Sequence, residues 1–114
     1  MGKEVIITTP EVRITDYETK IPFYRAVTIV EHTLTSNDEF TPEKGIGMPK
    51  FTPKIGYGAW YRLTADGTHT PTFTGFKKHI ASKDYVSTLN TVNIVVFIYD
   101  GIDFWYSIGQ AAEE

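Results

Sequence analysis

The strongest strand signal lies near the carboxyl end, a nearly continuous apolar run over residues 92–99 (Val-Asn-Ile-Val-Val-Phe-Ile-Tyr) followed by residues 103–108 (Asp-Phe-Trp-Tyr-Ser-Ile). Side chains of an extended chain point to opposite faces in turn, so Asn93, Val95, Phe97 and Tyr99 fall on one face and Ile94, Val96 and Ile98 on the other. Both faces are largely apolar, which predicts a strand buried on both sides, in the middle of a sandwich or of a tight assembly. In the second segment Phe104, Tyr106 and Ile108 share a face. Asp103, Trp105 and Ser107 share the opposite one, so one side of this strand meets solvent or a partner. The Asp100-Gly101 step between the segments favours the positive φ angles of a tight type I′ hairpin turn.

The remaining elements follow from the same pattern. Residues 5–8 and 12–15 are short β-prone pieces parted by Pro10, which confines them to edge strands or an extended arm over residues 1–24. Residues 24–34 form a long candidate strand, with Val27 and Ile29 on one side and Ala26, Val30 and Leu34 on the other. Residues 35–58 differ: Pro42, Pro49 and Pro53 and four glycines interrupt any period. About twenty residues without periodicity is long for a connection in a compact domain. Yet Phe40, Ile46, Met48, Phe51, Ile55 and Tyr57 punctuate the segment, and a disordered linker would lack them. It reads as a docking loop, whose removal over 36–56 should leave a folded protein. Residues 59–64 are a strand, Asp66-Gly67 repeats the turn signal, 70–74 and 76–80 are short strands, and 82–91 is a polar connection with room for one helical turn. Residues 25–110 therefore form one domain, and 111–114 an acidic tail.

Composition agrees with an all-β chain. Threonine occurs sixteen times and aromatic residues make up 14% of the 114 residues, and β-branched and aromatic side chains suit a pleated surface. The fold class expected is all-β, an antiparallel, jelly-roll-like β-sandwich with an extended N-terminal arm and a long central loop. No cysteine is present, which excludes disulfides, thiolate metal sites and a cysteine nucleophile. Net charge is −3, with acids and bases interspersed. No part of the chain has the clustered positive charge that nucleic-acid binding requires, and no apolar run approaches the ~20 residues of a membrane span. The amino-terminal residues lack the apolar core of a signal peptide.

Candidate chemistry is sparse. His32, His69 and His79 stand apart, without the spacing of a zinc site or a general base. Gly45-Ile46-Gly47 and Gly56-Tyr57-Gly58 do not lie between a strand and a helix, as a phosphate loop must. Ser36 and Ser107 lack a nucleophile setting. Asp66, Asp100 and Asp103 invite comparison with calcium ligands, but two of them belong to turn dipeptides that account for them. No enzyme, cofactor or metal is expected. Trp60, Tyr61, Trp105 and Tyr106 are a different matter, because exposed rings stack on sugars. Alternation sends Trp60 and Tyr61 to opposite faces, and Trp105 and Tyr106 likewise, so Trp60 and Trp105 are the candidates for a glycan-binding face.

Residues 63–77 (Leu-Thr-Ala-Asp-Gly-Thr-His-Thr-Pro-Thr-Phe-Thr-Gly-Phe-Lys) and 91–108 resemble a recurrent β-sandwich module at the C-termini of tailed-bacteriophage virion proteins. Its pattern is a D-G-T-x-T-P-T-F turn and strand, a loop, and an N-V-V-x-F-x-Y-D-G-x-x-x-W-Y-S hairpin. The resemblance covers about residues 58–108, and residues 1–57 lie outside it. It implies a structural role in the virion, assembled in the host cytoplasm, with no catalytic residues to transfer. Larger members are fibre and tail proteins in which the module is one piece of many, whereas this chain is small and of one domain. That points to an auxiliary or decoration capsid protein, or a head-fibre attachment protein, that binds the capsid surface and stabilises the particle. Partners would be the major capsid protein, a fibre or sister subunits in a multi-copy or homo-oligomeric assembly. Candidate interface residues are Phe40, Ile46, Met48, Phe51 and Ile55 of the loop and Ile6, Ile14 and Phe23 of the arm; each can instead pack on its own domain. A host-surface glycan or receptor module of a phage fibre, and a small tail or connector component, are the alternatives.

Overall fold

The computed structural model describes residues 12–14, by backbone alone, and residues 16–111. The expected strand at 5–8 and the acidic residues 112–114 lie outside them. Among the described residues nine strands form: β1 (Val12–Ile14), β2 (Lys20–Ile21), β3 (Val27–Thr33), β4 (Glu39–Pro42), β5 (Gly58–Thr64), β6 (Thr72–Phe73), β7 (Lys77–Lys78), β8 (Val92–Tyr99) and β9 (Phe104–Gln110). Among the described residues the helical piece is a single 3-10 turn, Pro49–Phe51. Residues 82–91, the expected polar connection, are irregular, and the helical turn they had room for does not form.

Two sheets pack face to face, one in the order β1-β3-β5-β8-β9-β7 and the other β2-β4-β6. The expected all-β sandwich is therefore what forms. Antiparallel pairing joins β5, β8 and β9, and the other pairs run parallel. The reason is the path of the chain. Up to β6, and so for every parallel pair but β7 with β9, each strand of the large sheet is followed by one of the small sheet. A chain that revisits a sheet only after crossing the other layer returns travelling in its original direction. Parallel pairs thus arise without helical crossovers, on a coiled path unlike the antiparallel one of a jelly roll.

The core lies between the layers. Val30 of β3, Ala59, Tyr61 and Leu63 of β5, Val95 and Phe97 of β8 and Ile108 of β9 meet Ile21 and Phe40 from the small sheet, with Phe23 beside them. Phe40 sits among rings, edge-on to Tyr61 at 5.6 Å and stacked on Phe73 at 5.5 Å, and Phe73 stacks on Tyr106 at 4.1 Å. Phe73 of β6 carries the small sheet onto Phe97 of β8 and Tyr106 of β9, and Phe76 and Tyr85 pack against the core beside it.

Two expectations change. The segment 35–58 is not a removable loop: β4 lies within it, as the central strand of the small sheet, and carries a fully buried Phe40. Its later part is also tied down, with Lys54 N–H donating to the Phe23 carbonyl at 2.9 Å and Phe51 edge-on to Tyr24 at 4.8 Å. The terminal hairpin forms as expected, but Tyr99 pairs with Phe104, leaving a four-residue loop. Of its residues Gly101 has positive φ, at 96°, and Asp100 does not. The Asp100 carboxylate accepts from the N–H groups of Ile102 and Asp103, at 2.8 and 2.6 Å, supplying the partners that a two-residue turn would have made unnecessary.

Candidate functional site

The large sheet has a second face, turned away from the core. Register places Val27, Ile29 and Glu31 of β3 beside Gly58, Trp60 and Arg62 of β5. Those residues in turn sit beside Ile98, Val96 and Ile94 of β8. Trp105, Ser107 and Gly109 of β9 continue the rows, and Lys77 of β7 lies beside Trp105. Alternation along each strand fixes this face as surely as it fixes the core, since the residues between these are the buried ones. Trp60 is 54% exposed and Ile98 43% exposed. The strand expected to be buried on both sides, β8, instead has one face in the core and the other, partly open, on the outside of the described chain.

This face has relief and charge. A shallow hollow of about 320 Å³ is lined by Ile29, Val30, Glu31, Trp60, Arg62 and Ile94. Arg62 Nε lies 3.7 Å from Glu31 Oε2 at one corner, and Lys77 Nζ lies 3.4 Å from Asp103 Oδ2 at the other. Trp105 Nε1 donates to Asp100 Oδ2 at 2.8 Å, which fixes the ring's tilt, and His79 meets that ring edge-on at 6.3 Å.

The interface residues expected from sequence divide. Phe23 and Phe40 are fully buried in the chain's own core, a correction that for Phe40 follows from β4 being internal and for Phe23 from its packing among Phe76, Tyr99 and Phe104. Phe51 packs on Tyr24. Ile46, Met48 and Ile55 are exposed, by 84%, 44% and 72%. Ile46 and Met48 border a hollow of about 190 Å³ with Lys20, Pro42, Glu43 and Lys44, while Ile55 packs beside Gly101 of the hairpin loop. Ile14 belongs to β1, an edge strand of the large sheet, and Ile6 lies outside the described residues. Trp60 and Trp105 do share a face, two strands apart with β8 between them. Sequence reasoning passed over Ile29, Ile94, Val96 and Ile98 as interface residues, although the two-sided pattern of residues 92–99 was the signal for them.

The titratable side chains serve the turns and packing. Asp66 accepts from the N–H groups of Thr68 and His69 and lies 2.6 Å from His69 Nδ1. These bonds, the one from the His69 N–H foremost, bring its pKa down to about 2. Asp100 is held below the ordinary carboxylate range by the Asp103 N–H, the Trp105 indole and the Ile102 N–H. His32 stacks on Tyr17 at 3.5 Å, and Tyr17 donates to Asp38 at 2.5 Å. Burial and that bond raise the Tyr17 pKa, while Ser36 and Tyr17 lower that of Asp38. Among the described residues no three His, Cys, Asp or Glu side chains form a group able to hold a metal, and no helix is long and apolar enough to cross a membrane. Compared with protein-family models, curated proteins and solved structures, the chain matches none.

Proposed function

We propose that this chain is a structural component of a tailed-bacteriophage virion, acting without catalysis or a cofactor. In this reading it is an auxiliary or decoration protein of the capsid, or the attachment protein of a head fibre, and it stabilises the particle by adhesion. The particle itself is inferred from the motif resemblance over residues 58–108. The adhesive mode rests on one observation: an apolar outer sheet face in which Trp60 and Ile98 stand open to solvent. Burying such side chains gains roughly 25 cal/mol per Å² of apolar surface, and apolar surface of this kind on a soluble protein marks an interaction site. The exposed loop residues Ile46, Met48 and Ile55 supply further contacts with the major capsid protein, a fibre or sister subunits. The interspersed charge offers no electrostatic footprint for nucleic acid.

The test is quantitative mass spectrometry and density reconstruction of purified particles from cells producing this chain. Many copies per virion support a capsid-surface protein. A dozen or fewer place it in the tail or connector, and absence from the particle overturns the reading. A second reading, a host-surface glycan module, is favoured by the placement of Trp60 and Trp105 on one face. Stacking of sugar rings on them would appear as quenching of tryptophan emission by host polysaccharide.

A further inference from the structure

We propose that the outer face of the large sheet is covered by the same face of a second copy of this chain, forming a two-fold dimer with the sheets stacked back to back. The inference rests on the adhesive reading of that face and names its partner. Three features of the face suit a copy of itself better than an unrelated partner.

The first is shape. A two-fold interface presents one patch twice, so it needs both a projection and a recess on the same patch. Trp60 projects, at 54% exposure, and the hollow of about 320 Å³ lies directly beside it, lined by Ile29, Arg62 and Ile94. The Trp60 ring of one copy has a place to go in the other. Tryptophan is also the residue type most often found to anchor interfaces.

The second is charge. The ion pairs Glu31–Arg62 and Lys77–Asp103 sit at diagonally opposite corners of the apolar centre. Each corner holds one acid and one base, so the face is neutral and repels no copy of itself. A two-fold axis along the diagonal through the two charged corners brings each corner onto its own copy, so every acid has a base of the other copy as close to it as that copy's acid. The corners are about three strand spacings apart across the sheet and about five residues apart along it, roughly 14 Å by 17 Å. The diagonal therefore runs near 45° to the strands. Rotation about it makes the strands of the two sheets cross near a right angle, the orthogonal class of sheet packing.

The third is area. Strands β3, β5, β8, β9 and β7 span about 24 Å across, and seven residues span about 24 Å along. With β7 contributing only two residues, two copies would withdraw roughly 1,000 Å² of flat surface from water, below the standard size of specific complexes and in the range of weak, transient ones. The dimer is accordingly a reversible one, with dissociation in the micromolar range.

Sedimentation velocity of the full chain over a concentration series across that range tests the proposal. Wild type is expected to pass from monomer to dimer. Val96→Glu, which puts a carboxylate at the centre of the face, is expected to weaken the dimer at least a hundredfold while leaving the far-ultraviolet circular dichroism unchanged. Ile46→Glu, on the loop, is expected to dimerise as wild type does. Should Val96→Glu unfold, Trp60→Ala serves in its place, with a loss of at least tenfold expected. A wild type that stays monomeric throughout, or a dimer that only Ile46→Glu weakens, overturns the proposal. Dimerisation through this face by a chain absent from virions would sink the virion reading alone; a monomer found in virions would sink this inference alone.

Discussion

The side-chain amide of Asn93 lies fully buried in the core face of β8. Its Oδ1 accepts from the Val86 N–H at 3.0 Å and from Gln110 Nε2 at 2.9 Å, and its Nδ2 donates to the Val86 carbonyl at 3.0 Å. One polar residue in an apolar strand thereby pins the irregular 82–91 segment over the end of the core. Asn93→Leu is expected to cost about 2–4 kcal/mol, because the Val86 N–H and carbonyl lose their partner, and a lowered urea midpoint would record it. Asp66 acts within its own turn, through Thr68 and His69. Its folded pKa is near 2 against an ordinary 3.8, so its contribution is complete above pH 3.8 and is lost as pH falls through 2. Wild type should therefore lose stability across that window, and Asp66→Asn should lack that component in an acid titration followed by circular dichroism. The Asp-Gly steps were legible as turns. The bonds of Asn93 were not, because the partner sits in a segment without a period of its own.

At the level of elements, the long strands were legible because seven or eight alternating residues leave one register possible. The side-chain faces expected for residues 92–99 and 103–108 are those observed. β4 escaped notice for the opposite reason: Glu-Phe-Thr-Pro is too short for a period and ends on a proline. Its membership of the core depends on partners distant in sequence, with the Thr72 N–H donating to the Asp38 carbonyl at 2.9 Å and the Thr41 N–H to the Thr19 carbonyl at 3.0 Å. Chemical denaturation separates the two kinds of apolar residue in the 35–58 segment. Phe40→Ala is expected to cost about 3–5 kcal/mol, as for a large ring removed from a packed core. Ile46→Ala should change stability by less than about 0.5 kcal/mol.

For the whole molecule, the same alternation that builds the core leaves a second apolar face outside it. Strand β8 is read correctly as a two-sided strand only when something beyond the described chain covers Ile94, Val96 and Ile98. The coiled path between the sheets was not legible, because pairing partners 15 and 31 residues apart, Val12 with Val27 and Val27 with Gly58, leave no mark on local pattern. The account turns on that outer face being buried when the protein does its work. Hydroxyl-radical footprinting of the protein, dilute and then in its assembled form, measures this directly. The prediction is that oxidation of Trp60 and Ile98 falls several-fold on assembly while that of the exposed Ile80 and Leu89 is unchanged; equal oxidation of Trp60 in the two states would contradict it.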